Sequence, residues 1–181
     1  FGAPNSADPE IMRQGLTDFG KDAVAYMQEL GVLVDVSHLS QGGFYDVARI
    51  CKKPFIATHS NSFALCPHPR NLTDDQIRVL AGAGGMTGLN FGPEFLNRDV
   101  RCKDSTAAQI AKHARHIADV GGVDCVGIGS DFDGISGNLE ISDCAKVCLL
   151  EDALKKEGFS SDEIEKIFYQ NVIRVMKDTL R

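Results

Sequence analysis

The sequence has no excess of basic charge: 19 Lys and Arg stand against 25 Asp and Glu, a formal net charge of −6. Proteins that grip DNA, RNA or an anionic membrane carry the opposite footprint. A small-molecule site is therefore the expectation, with no nucleic acid and no membrane as partner. The sequence also lacks an uninterrupted apolar run of spanning length and a signal peptide, and its closing stretch "VIRVMKDTLR" is amphipathic and charged. Neither a membrane span nor a lipid-anchor tail is expected, and the chain reads as cytoplasmic. No linker or low-complexity tract divides residues 1–181, which read as a single region. Zinc-finger spacing is missing as well, although there are six cysteines, at 51, 66, 102, 125, 144 and 148. A chain with 43% hydrophobic residues has little need of disulfide staples. These cysteines read as reduced, buried thiols, with Cys144 and Cys148 packing on one helix face. "DFDGISG" fails the calcium-loop pattern because Gly134 comes too early, and "GAGGMTG" precedes a strand instead of following one, which excludes a dinucleotide fingerprint.

What is present is an alternation of short apolar runs and amphipathic stretches. Leu16, Phe19, Ala23, Tyr26, Met27 and Leu30 recur at helical spacing, and Gly31 closes that helix. Residues 32–38, "VLVDVSH", then read as a strand. Ser40 is placed to cap a helix that stops before Pro54, and "FIATHS" is the next strand. Thr73 with Gln76 forms a capping-box pattern, and Asn71, in a glycosylation-like "NLT", reads as part of the same helix cap. "GGMTGLNF" and "CVGIGSD" supply two more strands, separated by a long loop and the helix "STAAQIAKHARHIADVGG". "DCAKVCLLEDALKKEG" and a segment capped by Ser160 with Glu163 close the chain as helices. Strands separated by helices throughout imply an α/β fold with a parallel sheet.

Polar residues stand at the carboxyl end of each strand: Asp35, Ser37 and His38; Thr58, His59 and Ser60; Asn90; Ser130, Asp131 and Asp133. Decoration of every strand at the same end is how a barrel active site is built. Two imidazoles from adjacent strand ends, with a carboxylate nearby, suit a divalent ion such as zinc, whose bound water becomes acidic enough for hydrolysis. A reading in which His38 and His59 only satisfy strand-end backbone groups stays open on spacing alone. Asp35 reads as a strand-end hydrogen-bond partner able to orient a histidine. His113 and His116 lie within a helix and read as structural, and His68 between two prolines reads as pinning a loop.

"THSNSFALCPHPRNLTDDQI", flanked by "GVLVDVSHLS" and "VGIGSDFDGI", resembles the membrane dipeptidase (renal dipeptidase) family, and the resemblance extends to "GGMTGLNF" and "NVIRVMKD". It implies a (β/α)8 TIM barrel of the metal-dependent hydrolase type, carrying two zinc ions and hydrolysing dipeptides. His38 and His59 match the histidines that bind the second metal, and Arg70 matches the arginine that grips the substrate carboxylate. Asp131 matches the acidic residue, catalytic and substrate-binding, near the scissile bond and the free amino group, with Asp133 as its alternative. The family's His-x-Asp pair, bridging Glu and substrate-binding His match nothing in this chain, which contains no His-x-Asp. The resemblance therefore implies the C-terminal half of the barrel, its last four strand–helix units. Such a half is expected to expose an inner face of Val32, Val34, Ile56 and Leu89, and to form a homo-oligomer or associate with the N-terminal half.

Overall fold

The computed structural model describes residues 1–180. The short helix α1, Pro9–Arg13, precedes α2, Asp18–Leu30, whose N-cap is Thr17 and whose C-cap Gly31 adopts a left-handed φ of 73°. Ser40 caps α3, Gln41–Ile50, by accepting the Gly43 N–H. The strand β1, Ile56–Ala57, is followed by α4, Asp74–Gly82, with the full Thr73–Gln76 capping box. Then come β2, Met86–Asn90, the single turn α5, Pro93–Leu96, a two-residue β3, Asp104–Ser105, and α6, Ala107–Gly121. The rest is β4, Val126–Ser130, a short β5, Asn138–Leu139, and the helices α7, Leu149–Lys156, α8, Ser161–Glu165, and α9, Asn171–Thr179. A π turn at Lys166–Gln170 joins the last two.

The main sheet is parallel in the order β1-β2-β4, with β3 and β5 forming a separate parallel pair. Residues 32–38 extend this sheet by one position only. Asp35 bridges Ile56 in parallel, while the Val36 N–H donates to the Ile56 carbonyl at 2.8 Å and the Ile56 N–H to the Val34 carbonyl at 2.9 Å. The expected full strand is interrupted because the Asp35 side chain takes the backbone N–H groups of Ser37 and Thr58 and the chain then turns at His38, where φ is 71°. Side chain competes here with ladder, as short acidic residues do. The sheet is strongly curved: a Cβ at Gly88 or Gly129 would lie 2.0 or 2.1 Å from the Thr58 carbonyl oxygen, so only glycine permits that approach.

The core lies between sheet and helices, where Phe44, Phe55, Ile77, Leu80, Leu89, Phe91, Ile110, Ile117, Leu150 and Leu154 are fully buried. Full removal from water stabilises each by about 1.5–3 kcal/mol. Helix α6 buries Ile110, Ala114 and Ile117 on one stripe, with His113 among them. The His113 Nδ1 accepts the Ser62 N–H and its other nitrogen donates to the Leu96 carbonyl; burial pushes its pKa down to about 4 against the opposing effect of that carbonyl. A proton on Nδ1 would face another donor. The unfolded chain, titrating near 6.5, binds that proton more readily, so stability is fully present above about pH 6.5 and is lost as pH falls toward 4. The loss is on the order of 3 kcal/mol. Urea unfolding across this window, with His113→Gln as control, is expected to show that slope in the wild type and a weaker one in the variant.

Several expectations are corrected. The stripe read on α2 is divided: Leu16 is buried and Met27 packs against the core, whereas Phe19, Tyr26 and Leu30 face outward, and the buried positions of the helix itself are Gly20, Val24 and Gln28. The inner face is also different, since Val34, Ile56 and Leu89 are buried and only Val32 is exposed. Val34 and Leu89 belong to the main core, and Ile56 and Met86 are covered by Val175 of α9. That helix lies across the entry ends of the strands, where the Asn171 amide donates to the Val123 and Val126 carbonyls and the Arg174 guanidinium donates to those of Gly84 and Asp124. Residues 144–156 form a 3-10 turn at Cys144–Lys146 before α7, which leaves Cys144 and Cys148 exposed instead of packed. Cys66 and Cys125 are buried, Cys51 and Cys102 are half-buried, and all six thiols are unpaired. Thr73 is the α4 cap, whereas Asn71 is buried, its amide donating to the Cys66 and Phe95 carbonyls.

Candidate active site

The site lies at the carboxyl ends of the strands, opposite α9. Parallel pairing of residues 34–36 with Ile56 brings His38 and His59 together with their Nε2 atoms 3.0 Å apart. Two nitrogens on one tetrahedral zinc, each about 2.0–2.1 Å from it, are about 3.3 Å apart. The separation thus fits a shared ion. Burial, and then the Arg70 charge, lower the pKa of His59, and the same causes in the same order, with His59 added, lower that of His38. Neutral imidazole, the ligating form, is favoured. Among the described residues no cluster of three His, Cys, Asp or Glu side chains could hold a metal, so a metal at this pair would need further ligands from elsewhere.

Arg70 is 7% exposed beside this pair. Its guanidinium donates to the His59 carbonyl at 3.2 Å and to the Ser60 hydroxyl at 3.4 Å, its buried Nε makes no hydrogen bond, and the Phe95 ring lies 5.7 Å away. Every one of those partners is neutral. Asp131 and Asp35 act on this buried cation through their charges but make no hydrogen bond to it, so its fork is left open to an anion in direct contact.

Asp131 approaches from the end of β4, held by the Asn90 amide, which donates to its Oδ2 at 2.9 Å. Asn90 is itself fixed, because its Oδ1 accepts the Gly92 N–H and Asn61 pairs with its backbone on both sides. The charges of Asp131 and Asp35 act on His38, His59 and Arg70 together, which puts all five in one electrostatic neighbourhood. Among the described residues, His38, Ser130 and Asp131 are the non-glycine ones with positive φ, at 71°, 41° and 70°. Backbone strain of that kind concentrates where side-chain placement matters.

The structure thus brings together His38, His59, Arg70 and Asp131 and leaves Asp133 exposed outside the group. His68 is drawn in at the margin: its Nδ1 accepts the Arg70 N–H and its ring meets Phe95 edge-on at 4.9 Å. Thr58 and Asn90 stand among the polar strand-end residues of the sequence but carry no assigned role there, and Phe95 is not among them. Their only signal was position at or just beyond a strand end.

The family model described as membrane dipeptidase (peptidase family M19) matches residues 3–181. An uncharacterized protein in the pqqA 5′ region of Klebsiella pneumoniae is 39% identical over 165 residues, covering 91% of this chain and 61% of that protein. Dipeptidase aclJ of Aspergillus oryzae is 37% identical over 180 residues, 97% of this chain and 42% of its own length. A crystal structure of a metallopeptidase from Rhodobacter sphaeroides, liganded with a phosphinate mimic of the dipeptide L-Ala-D-Ala, superposes with a TM-score of 0.87 at 36% identity, covering 98% of this chain and 49% of that one. The dipeptidase AC structure gives the same TM-score at 35% identity, with 50% of its chain covered. This chain spans about half the length of the relatives it matches. With a family model matching nearly every residue, the chain belongs to the membrane dipeptidase family, peptidase family M19.

Proposed function

We propose that the protein carrying this chain is a zinc-dependent dipeptidase, and that the chain is the C-terminal half of its (β/α)8 barrel. The observation that carries the reading is Arg70, a buried guanidinium with only neutral partners beside two converging imidazoles and a fixed carboxylate. A free α-carboxylate supplies the directly bonded anion that the guanidinium lacks, and the planar fork binds it in two places. His38 and His59 would hold one of two zinc ions, the second of the pair, with the first on the N-terminal half. When bound, zinc supplies an activated water and polarises the scissile carbonyl.

The chain's own residues do the rest. Arg70 fixes the C-terminal end of the substrate. Asp131, oriented by Asn90, attracts the free ammonium group and exchanges a proton near the scissile nitrogen. Together they suit a short molecule that carries a free carboxylate at one end and a free ammonium group at the other. The phosphinate-bound relative supports dipeptides that end in a D-residue as substrates. The sheet order, which follows the chain without a switch, supports a barrel over a doubly wound sheet.

The outward stripe of Phe19, Tyr26 and Leu30 on α2 supports association with the N-terminal half, as does that of Tyr169, Val172, Ile173, Met176 and Leu180 around α9. Exposed apolar surface on this scale marks an interface. Zinc content and dipeptide turnover measured on the complete protein and on residues 1–181 alone test the proposal. The complete protein is expected to hold two zinc ions and cleave dipeptides. The isolated chain is expected to self-associate, bind at most one zinc weakly and be inactive. A complete protein that binds zinc but cleaves no dipeptide refutes the substrate, and a monomeric, active 181-residue chain refutes the half-barrel.

A further inference from the structure

We infer that Asp35 and Thr58 are positioning residues which set the tautomer of His59 and so aim its Nε2 lone pair at the metal position; the inference rests on the proposed zinc site. The argument is an accounting of protons. The Asp35 Oδ1 accepts the Ser37 and Thr58 backbone N–H groups, each at 2.9 Å, and its Oδ2 accepts the Thr58 hydroxyl at 2.7 Å. An ionised carboxylate has no proton to offer, and a threonine hydroxyl has one. That one is committed to Asp35. The 2.6 Å contact between Thr58 Oγ1 and His59 Nδ1 must then be donated by the imidazole. His59 therefore carries its proton on Nδ1 and keeps a lone pair on Nε2.

The Nε2 contact with His38, at 3.0 Å, becomes a hydrogen bond donated by His38. His38 has no comparable partner on its other nitrogen among the hydrogen bonds of the described residues, so the two ligands differ: His59 is preset, and His38 changes tautomer when it ligates. The Ser37 hydroxyl accepts the His59 N–H at 3.1 Å, which holds the backbone from which this ring projects. Carboxylates that orient metal-binding histidines through their second nitrogen typically contribute about 10- to 100-fold in metal affinity. Here a hydroxyl is interposed, and the direction of its one proton is the whole device.

Asp35→Asn is the decisive variant. The two backbone N–H groups at Oδ1 pin the amide oxygen there, which turns the amide NH2 toward Thr58. The hydroxyl then donates to Nδ1, and the His59 proton moves to Nε2, where the metal would sit. Long-range proton–nitrogen NMR on the metal-free complete protein with labelled histidine reads this directly, and a zinc competition titration reads its consequence. The expected results are an Nδ1–H tautomer in the wild type and in Thr58→Ser, an Nε2–H tautomer in Asp35→Asn, and a roughly 10- to 100-fold weaker second zinc in Asp35→Asn and Thr58→Val. Melting curves of Asp35→Asn are expected to stay near the wild type. An unchanged Nδ1–H tautomer with wild-type zinc affinity in Asp35→Asn would overturn the inference, as would equal loss in Thr58→Ser and Thr58→Val. The tautomers are read without metal or substrate, so a failure of the dipeptidase reading shows in turnover and leaves this readout independent.

Discussion

His59→Ala in the complete protein is expected to remove one of two zinc equivalents and to lower dipeptide turnover by several orders of magnitude, and His38→Ala is expected to do the same. Among the described residues the two Nε2 atoms, 3.0 Å apart, have no third ligand beside them, so each removal leaves this chain with a single imidazole to offer the ion. A supporting partner costs about 10- to 100-fold when lost, and a direct ligand should cost more. The neutral alanine fold should persist, because His38 is exposed and His59 only half-buried. Metal analysis beside steady-state kinetics checks this. Two retained zinc equivalents with near-normal turnover in either variant would show that these histidines serve only the backbone.

Arg70→Lys is expected to leave zinc content unchanged while kcat/KM for dipeptides falls by roughly 30- to several-thousand-fold, the effect of about 2–5 kcal/mol at a buried charge. The compact ammonium reaches neither the His59 carbonyl nor a carboxylate with the geometry of a planar fork. Selectivity should change along with rate: the wild type should favour free dipeptides over dipeptide amides, and the variant should discriminate much less. Arg70→Met should go further in the same direction, since it removes the donors to the His59 carbonyl and the Ser60 hydroxyl together with the charge. Equal cleavage of dipeptides and their amides by the wild type would remove the carboxylate from Arg70.

These two predictions use residues that stand out in the sequence because the family's motifs place them. The residues that orient them do not stand out. Asn90 is one of several polar residues near a strand end, and nothing local tells that its amide reaches Asp131, 41 residues on. Thr58 adjoins His59, yet its role depends on Asp35, 23 residues earlier. Both come into view only when the parallel pairing is in place.

Helix caps were legible from sequence alone, because the partners lie within three residues and depend only on local geometry: Ser40 with Gly43, Thr73 with Gln76, Ser160 with Glu163, and Gly31 in its left-handed turn. The α/β alternation and the polar strand ends were equally local. Which face of α2 turns inward was not, since its large apolar residues and its buried Gly20, Val24 and Gln28 lie on different faces, and only the packed neighbours choose between them. The strand at residues 32–38 shrank to one bridge because the Asp35 carboxylate captured N–H groups from its own segment and the next, a competition that periodicity does not record. Sequence by itself determined the alternation of elements, their caps and the chemistry available at the strand ends. Tertiary structure alone decided which of those groups meet, because the contacts between His38 and His59, Asp35 and Thr58, and Asn90 and Asp131 each require separate chain segments to be held in one register of a curved parallel sheet.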